Sequence, residues 1–273
     1  MLDPSTGNGI FEGTLSKALQ ERTMITGIEL DWLTARIARA LYPDADIRIN
    51  GYESAGITPG SMDVVTTNMP FGDTTIYDPT WKSDSSPIKR SAQKRIHNYF
   101  AVKMLESARP GGLVSMMTTT SVMDTKSNQN VRMHIAEQGE ILGAIRLPGD
   151  VFQGTGAVSD IIYVRKWRDN EDAQATRSNP AYAELERAFL SLHETTAPNK
   201  RTGEPRKVAY NGYYKMHPDH MLGEVVAGNQ YGDDGFGLRG TRTVDEVAAE
   251  IKDINMKIVG DRVGQLYNPT RTV

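Results

Sequence analysis

Apolar and polar positions change period repeatedly along the first 168 residues. Short apolar runs at 24–29, 47–49, 62–67, 113–118, 141–147 and 159–167 predict strands. The intervening stretches follow helical spacing. After glycines at 7 and 9, Leu15, Ala18 and Leu19 share one face. Asp31 is placed to cap a helix in which Leu33, Ile37 and Leu41 recur at spacing four, and Pro43 stops it. A helix over about 96–109 ends at Pro110-Gly111-Gly112, and another over 128–138 turns Val131 and Ile135 inward. Strand and helix in alternation, with apolar strands, predict an α/β fold: a mostly parallel sheet covered by helices on both faces. The last two strands are joined only by a loop carrying Gly149, Gly154 and Gly156, too short for a parallel crossover. They therefore place an antiparallel strand at the sheet edge.

Beyond residue 168 the pattern weakens. One amphipathic helix is expected around 181–192, and the polar run 195–206 reads as an exposed linker. Tyr210, Tyr213 and Tyr214 precede Met221-Leu222-Gly223, and Thr243-Val244-Asp245-Glu246 is a capping box opening a helix with Val247, Ala248, Ile251 and Ile254. The expected organisation is a domain over 1–168, a linker with one helix over 169–207, and a mainly helical appendage over 208–273.

The 273 residues are 38% hydrophobic, and no apolar stretch approaches the roughly 20 residues of a membrane span. There is no cysteine, which excludes a disulfide framework and a thiolate metal site. The chain opens on a turn with an acid at position 3, which does not read as a signal peptide, and a cytoplasmic location is expected. His217 and His220 are the one close histidine pair, but Pro218 between them reads as a plain surface turn, so no metal site is expected. A net charge of −3 argues against non-specific nucleic-acid binding over the whole surface. Any DNA contact is expected from a local patch: Lys82, Lys89, Arg90, Lys94 and Arg95.

Two segments carry chemistry. Asp3-Pro4-Ser5-Thr6-Gly7-Asn8-Gly9 is a glycine loop at the end of a first strand, where Gly7 and Gly9 permit close approach of a cofactor to the backbone. Glu29, at the end of the next strand, is placed to accept from two ribose hydroxyls, as S-adenosylmethionine would require. The same spacing fits a dinucleotide site, although the third glycine of that fingerprint falls on Glu12. Asn68-Met69-Pro70-Phe71 ends the 62–67 strand. The Asn68 side-chain oxygen and the Met69 carbonyl are suited to draw an amino nitrogen toward tetrahedral geometry. Pro70 stiffens the turn, and Phe71 offers a stacking face. Taken alone, each segment also reads as an ordinary turn; together, and in this order, they point to methyl transfer onto a flat amino-bearing base.

At this point the chain resembles the gamma-class N6-adenine DNA methyltransferases, in which the cofactor motif precedes the catalytic one. Asp3 to Gly9 is similar to their acid-Pro-x-x-Gly-x-Gly motif, Glu29 to their ribose-binding acid, and Asn68-Met69-Pro70-Phe71 to Asn-Pro-Pro-Phe/Tyr. The likeness continues through His97-Asn98-Tyr99-Phe100, Arg109-Pro110-Gly111-Gly112, Leu142 to Pro148 and Ser159-Asp160-Ile161-Ile162, stretches similar to methylase modules of large phage and mobile-element proteins. The resemblance implies a Rossmann-like S-adenosylmethionine-dependent fold over 1–168 that methylates N6 of a flipped adenine in DNA, a restriction-modification activity. It implies Asp3, Pro4, Ser5, Gly7, Gly9, Glu29 and Glu53 (or the neighbouring Tyr52) at the cofactor, and Asn68, Met69, Pro70 and Phe71 at the base. Two departures stand out: Met69 replaces the first proline, and the first strand is reduced to Met1-Leu2. The second leaves three possibilities: a missing N-terminal segment, a helicase or companion subunit that completes the fold, or a non-catalytic DNA-binding remnant. The motifs alone also leave open ribosomal-RNA guanine N2 and a protein glutamine as methyl acceptors.

Overall fold

The computed structural model describes residues 1–151, 156–229 and 232–259. Gly154 of the expected glycine-rich loop lies outside them. Strands β1 (Leu2–Asp3), β2 (Thr26–Glu29), β3 (Asp46–Ile49), β4 (Met62–Asn68), β5 (Ala108–Thr119), β6 (Gly139–Leu147) and β7 (Ser159–Lys166) form one sheet in the order β3-β2-β1-β4-β5-β7-β6. The first five run parallel. β7 is antiparallel to both β5 and β6, so the antiparallel strand at this end is the last but one, with β6 outside it. This is the mostly parallel, Rossmann-like methyltransferase sheet, followed by a C-terminal region that contains helices.

The helices in chain order are α1 (Ile10–Thr14), α2 (Lys17–Gln20), α3 (Trp32–Leu41), α4 (Pro87–Ala92), α5 (Ile96–Ser107), α6 (Ser121–Asp124), α7 (Gln129–Gln138), α8 (Asn170–Arg177), α9 (Pro180–Leu190), α10 (Gly212–Met216) and α11 (Val244–Val259). On one face of the sheet, α5 and α7 pack Tyr99, Met104, Leu105, Val131 and Ile135 with Val65, Val114, Met116 and Ile162. α5 is buried nearly all round, polar residues included, so its sequence lacks a clean stripe. On the other face, α11 sets Val247, Ile254 and Ile258 against Ile145 and Leu147 of β6 and Leu222. Its expected capping box is present: the Thr243 amide donates to a Glu246 carboxylate oxygen at 2.8 Å and the Glu246 amide to the Thr243 hydroxyl at 3.3 Å.

Two helical expectations change. The segment after Gly9 breaks into α1 and α2, and Ala18 and Leu19 are exposed rather than inward. α3 is capped by Asp31 as expected, but it buries Ala35 and Ala38 against Ile47, while Leu33, Ile37 and Leu41 face outward. The small alanines let the helix lie close to the sheet, and that proximity outweighs the larger apolar stripe.

The polar run 195–206 is not a linker. β8 (Leu192–Pro198) and β9 (Pro205–Asn211) form an antiparallel hairpin, and two further strands, β10 (Glu224–Asn229) and β11 (Gly232–Arg239), form another. The turn of the first hairpin is made by Asn199, whose side-chain oxygen accepts from the amides of Arg201 and Thr202. Ala197 and Val208 bury themselves against Ala227. With so few apolar positions, the strand alternation was masked by turn-type residues.

What fastens this region to the sheet is a buried charge network. Arg146 of β6, 0% exposed, donates to Asp160 of β7 at 2.7 Å and to both oxygens of Asp124 in α6 at 2.8 and 2.9 Å. Its guanidinium lies over the rings of Tyr214 and Phe236, and the Tyr214 hydroxyl donates to Asp160 at 2.7 Å. Burial works against the charge on Arg146, but the two carboxylates outweigh it and hold the group protonated. Removing one partner of such a network leaves buried charge uncompensated, which costs about 3–5 kcal/mol. Arg146→Ala is therefore expected to lose about that much at pH 7 by urea unfolding. A loss below about 1 kcal/mol would show that the network contributes little.

Candidate active site

The strand order reverses around β1, which lies between β2 and β4. In open α/β sheets, the crevice beyond the carboxyl ends of the strands at such a switch point is where ligands bind. Leu2 pairs with Thr26 on one side and Val65 on the other, so the loop after Asp3 and the turn after Asn68 leave the sheet side by side. They are also joined directly. The Thr67 hydroxyl donates to Asp3 Oδ1 at 2.6 Å, and the Ser5 amide donates to the same oxygen at 3.1 Å.

The glycine loop sits over this crevice. Gly7 has φ +56°, and a Cβ there would meet nothing within 4 Å, so the backbone faces open space. Gly9, at φ +85°, serves another purpose: a Cβ there would meet the Tyr42 ring at 2.3 Å, so this glycine admits close packing beside α3. Glu29 lies beside the loop, accepting from the Gly7 amide at 3.0 Å with one oxygen and from the Asp31 amide at 2.8 Å with the other. Each oxygen keeps a lone pair for a further donor. Asp3 is wholly buried and its Oδ2 has no partner among the described residues; the same is true of Oε2 of Glu12, whose other oxygen accepts from Thr6. Buried acceptors without donors beside the glycine loop fit a ligand that brings donors of its own.

Glu53 is half-buried at the far end of β3, whereas Tyr52 points into the core and shares a hydrogen bond with Ser107 at 2.8 Å. Of the two residues weighed for this place, only Glu53 lies free of the core.

The Asn68 side chain is exposed and has no protein partner among the described residues. Met69 is 1% exposed, its amide donating to the Met117 carbonyl at 2.8 Å, so its own carbonyl has little open surface in this conformation. Pro70 is half-buried and Phe71 is 43% exposed. The loop that follows is less free than its polarity implies. Asp78 accepts from Tyr99, Lys103 and Thr80, and Trp81 donates to Glu106 at 2.9 Å, which pins residues 78–81 to α5. Sequence reasoning missed these anchors because their partners lie twenty or more residues away. Lys89 belongs to the same arrangement: it bridges Asp84 at 2.8 Å and Glu106 at 2.5 Å and lies over the Trp81 ring. It is a structural residue, and among the basic cluster Lys82, Arg90, Lys94 and Arg95 are the exposed members, Arg95 lying 3.9 Å from Asp73.

The N-6 DNA methylase family profile matches residues 14–182, a stretch that includes Glu29 and the Asn68–Phe71 turn and begins just after the glycine loop. The chain belongs to this family. It is also 30% identical over 169 residues to the Defense against restriction protein B of Escherichia phage P1, a match that covers 60% of this chain and only 7% of that much longer protein. Among solved structures, the M protein of the type I restriction enzyme EcoKI aligns over 98% of this chain and 68% of its own, with a TM-score of 0.50 and 14% identity. A class I S-adenosylmethionine-dependent methyltransferase from Listeria monocytogenes aligns over 70% of this chain and 64% of its own, with a TM-score of 0.49 and 19% identity. At 14% identity the likeness to the M protein speaks to the fold alone. Family membership displaces the dinucleotide alternative. No helix among the described residues is long and apolar enough to cross a membrane.

Burial pushes the Asp3 carboxyl up to about 7, against the lowering effect of Thr67 and with the nearby Glu12 adding to the rise. A carboxyl whose pKa is higher folded than unfolded stabilises the fold while protonated, and that contribution fades as pH rises from about 4 through about 7. Asp3→Asn keeps the Oδ1 acceptor and removes the charge. The unliganded variant is therefore expected to be more stable than the parent by roughly 1–3 kcal/mol at pH 8 and equal to it at pH 4, by thermal unfolding. A variant less stable than the parent at pH 8 would contradict this account of Asp3.

Proposed function

We propose that this chain is the methylase module of a DNA methyltransferase, transferring a methyl group from S-adenosylmethionine to N6 of an adenine turned out of the duplex. The observation that carries this reading is the Thr67–Asp3 bond, which holds the glycine loop and the Asn68–Phe71 turn side by side at the switch point. Family membership supports DNA adenine over ribosomal-RNA guanine or a protein glutamine. The match within a far longer phage protein supports a module whose remaining domains, or a companion subunit, supply target selection.

In this reading Asp3, Pro4, Ser5, Gly7, Glu29 and Glu53 line the cofactor cleft, and Gly9, packed against Tyr42, shapes the loop without facing it. Asp3 Oδ2 answers a cationic amino group, Glu29 accepts from ribose hydroxyls, and the Gly7 backbone lies against the ligand where a Cβ would intrude. When bound, S-adenosylmethionine supplies a sulfonium methyl that is electrophilic without further activation. The chain's own work is positioning. Asn68 accepts from one amino hydrogen and the Met69 carbonyl from the other, which frees the nitrogen lone pair. Phe71 stacks on the base, and the exposed segment 71–75 moves aside so that the Met69 carbonyl is reached. Lys82, Arg90, Lys94 and Arg95 face the phosphates beside the pocket.

Tritium transfer from labelled S-adenosylmethionine onto DNA, followed by nucleoside digestion, tests activity, substrate and methylated atom together. The expected product is N6-methyladenine. Asn68→Ala is expected to abolish transfer while cofactor affinity, measured by isothermal titration, stays within about threefold, since only the acceptor side is removed. Phe71→Ala is expected to lower kcat/KM for DNA by about 5- to 150-fold, the range of one lost stacking contact of about 1–3 kcal/mol. Cofactor binding without transfer would leave the acceptor assignment unsupported; no binding heat at all would leave a non-catalytic module.

A further inference from the structure

The turn Pro218–His220, after α10, lies well apart in sequence from both motifs and is not the plain surface feature its sequence implies. His220 is 6% exposed. Its Nδ1 lies 2.8 Å from the Tyr213 hydroxyl and 3.2 Å from the Ala144 carbonyl of β6, which leaves Nε2 as the nitrogen without a protein partner among the described residues. The His217 ring stacks on His220, with centroids 5.0 Å apart and planes 20° from parallel. Asp219, between them, is exposed. One ring nitrogen from each histidine and one carboxylate oxygen lie within 4.8 Å of one another.

We propose that His217, Asp219 and His220 bind a divalent transition-metal ion of the zinc class, with Nε2 of His220 as the anchoring ligand. Two imidazole nitrogens and a carboxylate are a donor set that suits zinc, nickel or cobalt and is poorly matched to magnesium or calcium, which take oxygen ligands. The second bond each liganding histidine normally makes is already present at His220: its Nδ1 is held by a backbone carbonyl and a tyrosine hydroxyl, which fixes the ring and directs Nε2 to the ion. Tetrahedral zinc places its donors about 3.3 Å apart. The present spacing closes to that by rotation of His217 and Asp219, which both reach solvent, and a fourth position remains for water.

The consequence is mechanical. Through His220 the ion is tied to the Ala144 carbonyl of β6, and the two residues that follow the turn also join that strand: Met221 bridges Arg146, and the Leu222 amide donates to the Arg146 carbonyl at 2.9 Å. A bound ion would lock the C-terminal region onto the outermost strand of the sheet and raise stability in proportion to its binding.

The test uses the full chain without a histidine tag. Titration calorimetry with zinc chloride is expected to give one equivalent bound, and cobalt chloride is expected to give the visible absorption of a four-coordinate ion. Zinc should raise the thermal midpoint; magnesium should not. His217→Ala should weaken zinc binding at least tenfold and Asp219→Asn several-fold, with unchanged circular dichroism, since neither side chain is buried. Absence of saturable zinc or cobalt binding, or equal affinity in parent and both variants, would overturn the proposal and leave the stacked rings as packing. Both readouts are independent of methyl transfer.

Discussion

A single hydrogen bond, from the Thr67 hydroxyl to the buried Asp3 carboxylate, holds the glycine loop and the Asn68–Phe71 turn in register. It matters because β1 is only two residues long and contributes few ladder bonds of its own. Thr67 immediately precedes Asn68, so any displacement of β4 along β1 shifts the Asn68–Phe71 turn relative to the glycine loop. Burial makes the bond strong, and it also leaves Asp3 Oδ2 without a donor. An unpaired buried acceptor of this kind is a local cost in stability.

The same trade recurs toward the β6 edge of the sheet, with the opposite outcome. Arg146, Asp124, Asp160 and Tyr214 satisfy one another inside the protein, and their role is to fix the position of the C-terminal region on β6 and β7. Leu142 to Pro148 and Ser159 to Ile162, which resemble family stretches outside the pocket, contain two members of this network. Their shared physical content is a buried ion pair between adjacent antiparallel strands, not contact with a ligand. A completed network rigidifies; an incomplete one awaits a partner.

Legibility followed the range of the interaction. The strands, the Asp31 and Thr243 caps and the order of the two motifs were readable because apolar period, capping and turn chemistry act over a few residues. Lys89 was read as a DNA contact from its neighbours in sequence, but Glu106, seventeen residues on, claims it. Leu33, Ile37 and Leu41 have the spacing of a buried stripe, yet alanines face the sheet because α3 packs too closely for larger side chains. Residues 195–206 carry the composition of a linker, and only the pairing of β8 with β9 makes their two ends strands around a turn.

The residues by themselves determined which local elements form and which chemistry the chain carries: a glycine loop, an acid one βαβ step later, and an Asn-x-Pro-aromatic turn. The tertiary structure alone decided what each of these faces. Gly7 opens on the cleft while Gly9 yields to Tyr42, Glu53 rather than Tyr52 is left outside the core, and Met69 is covered while Asn68 is free. The reason is that side chains of the same type differ in role according to which distant partner desolvates or neutralises them, and chain spacing holds no record of partners brought together by the sheet.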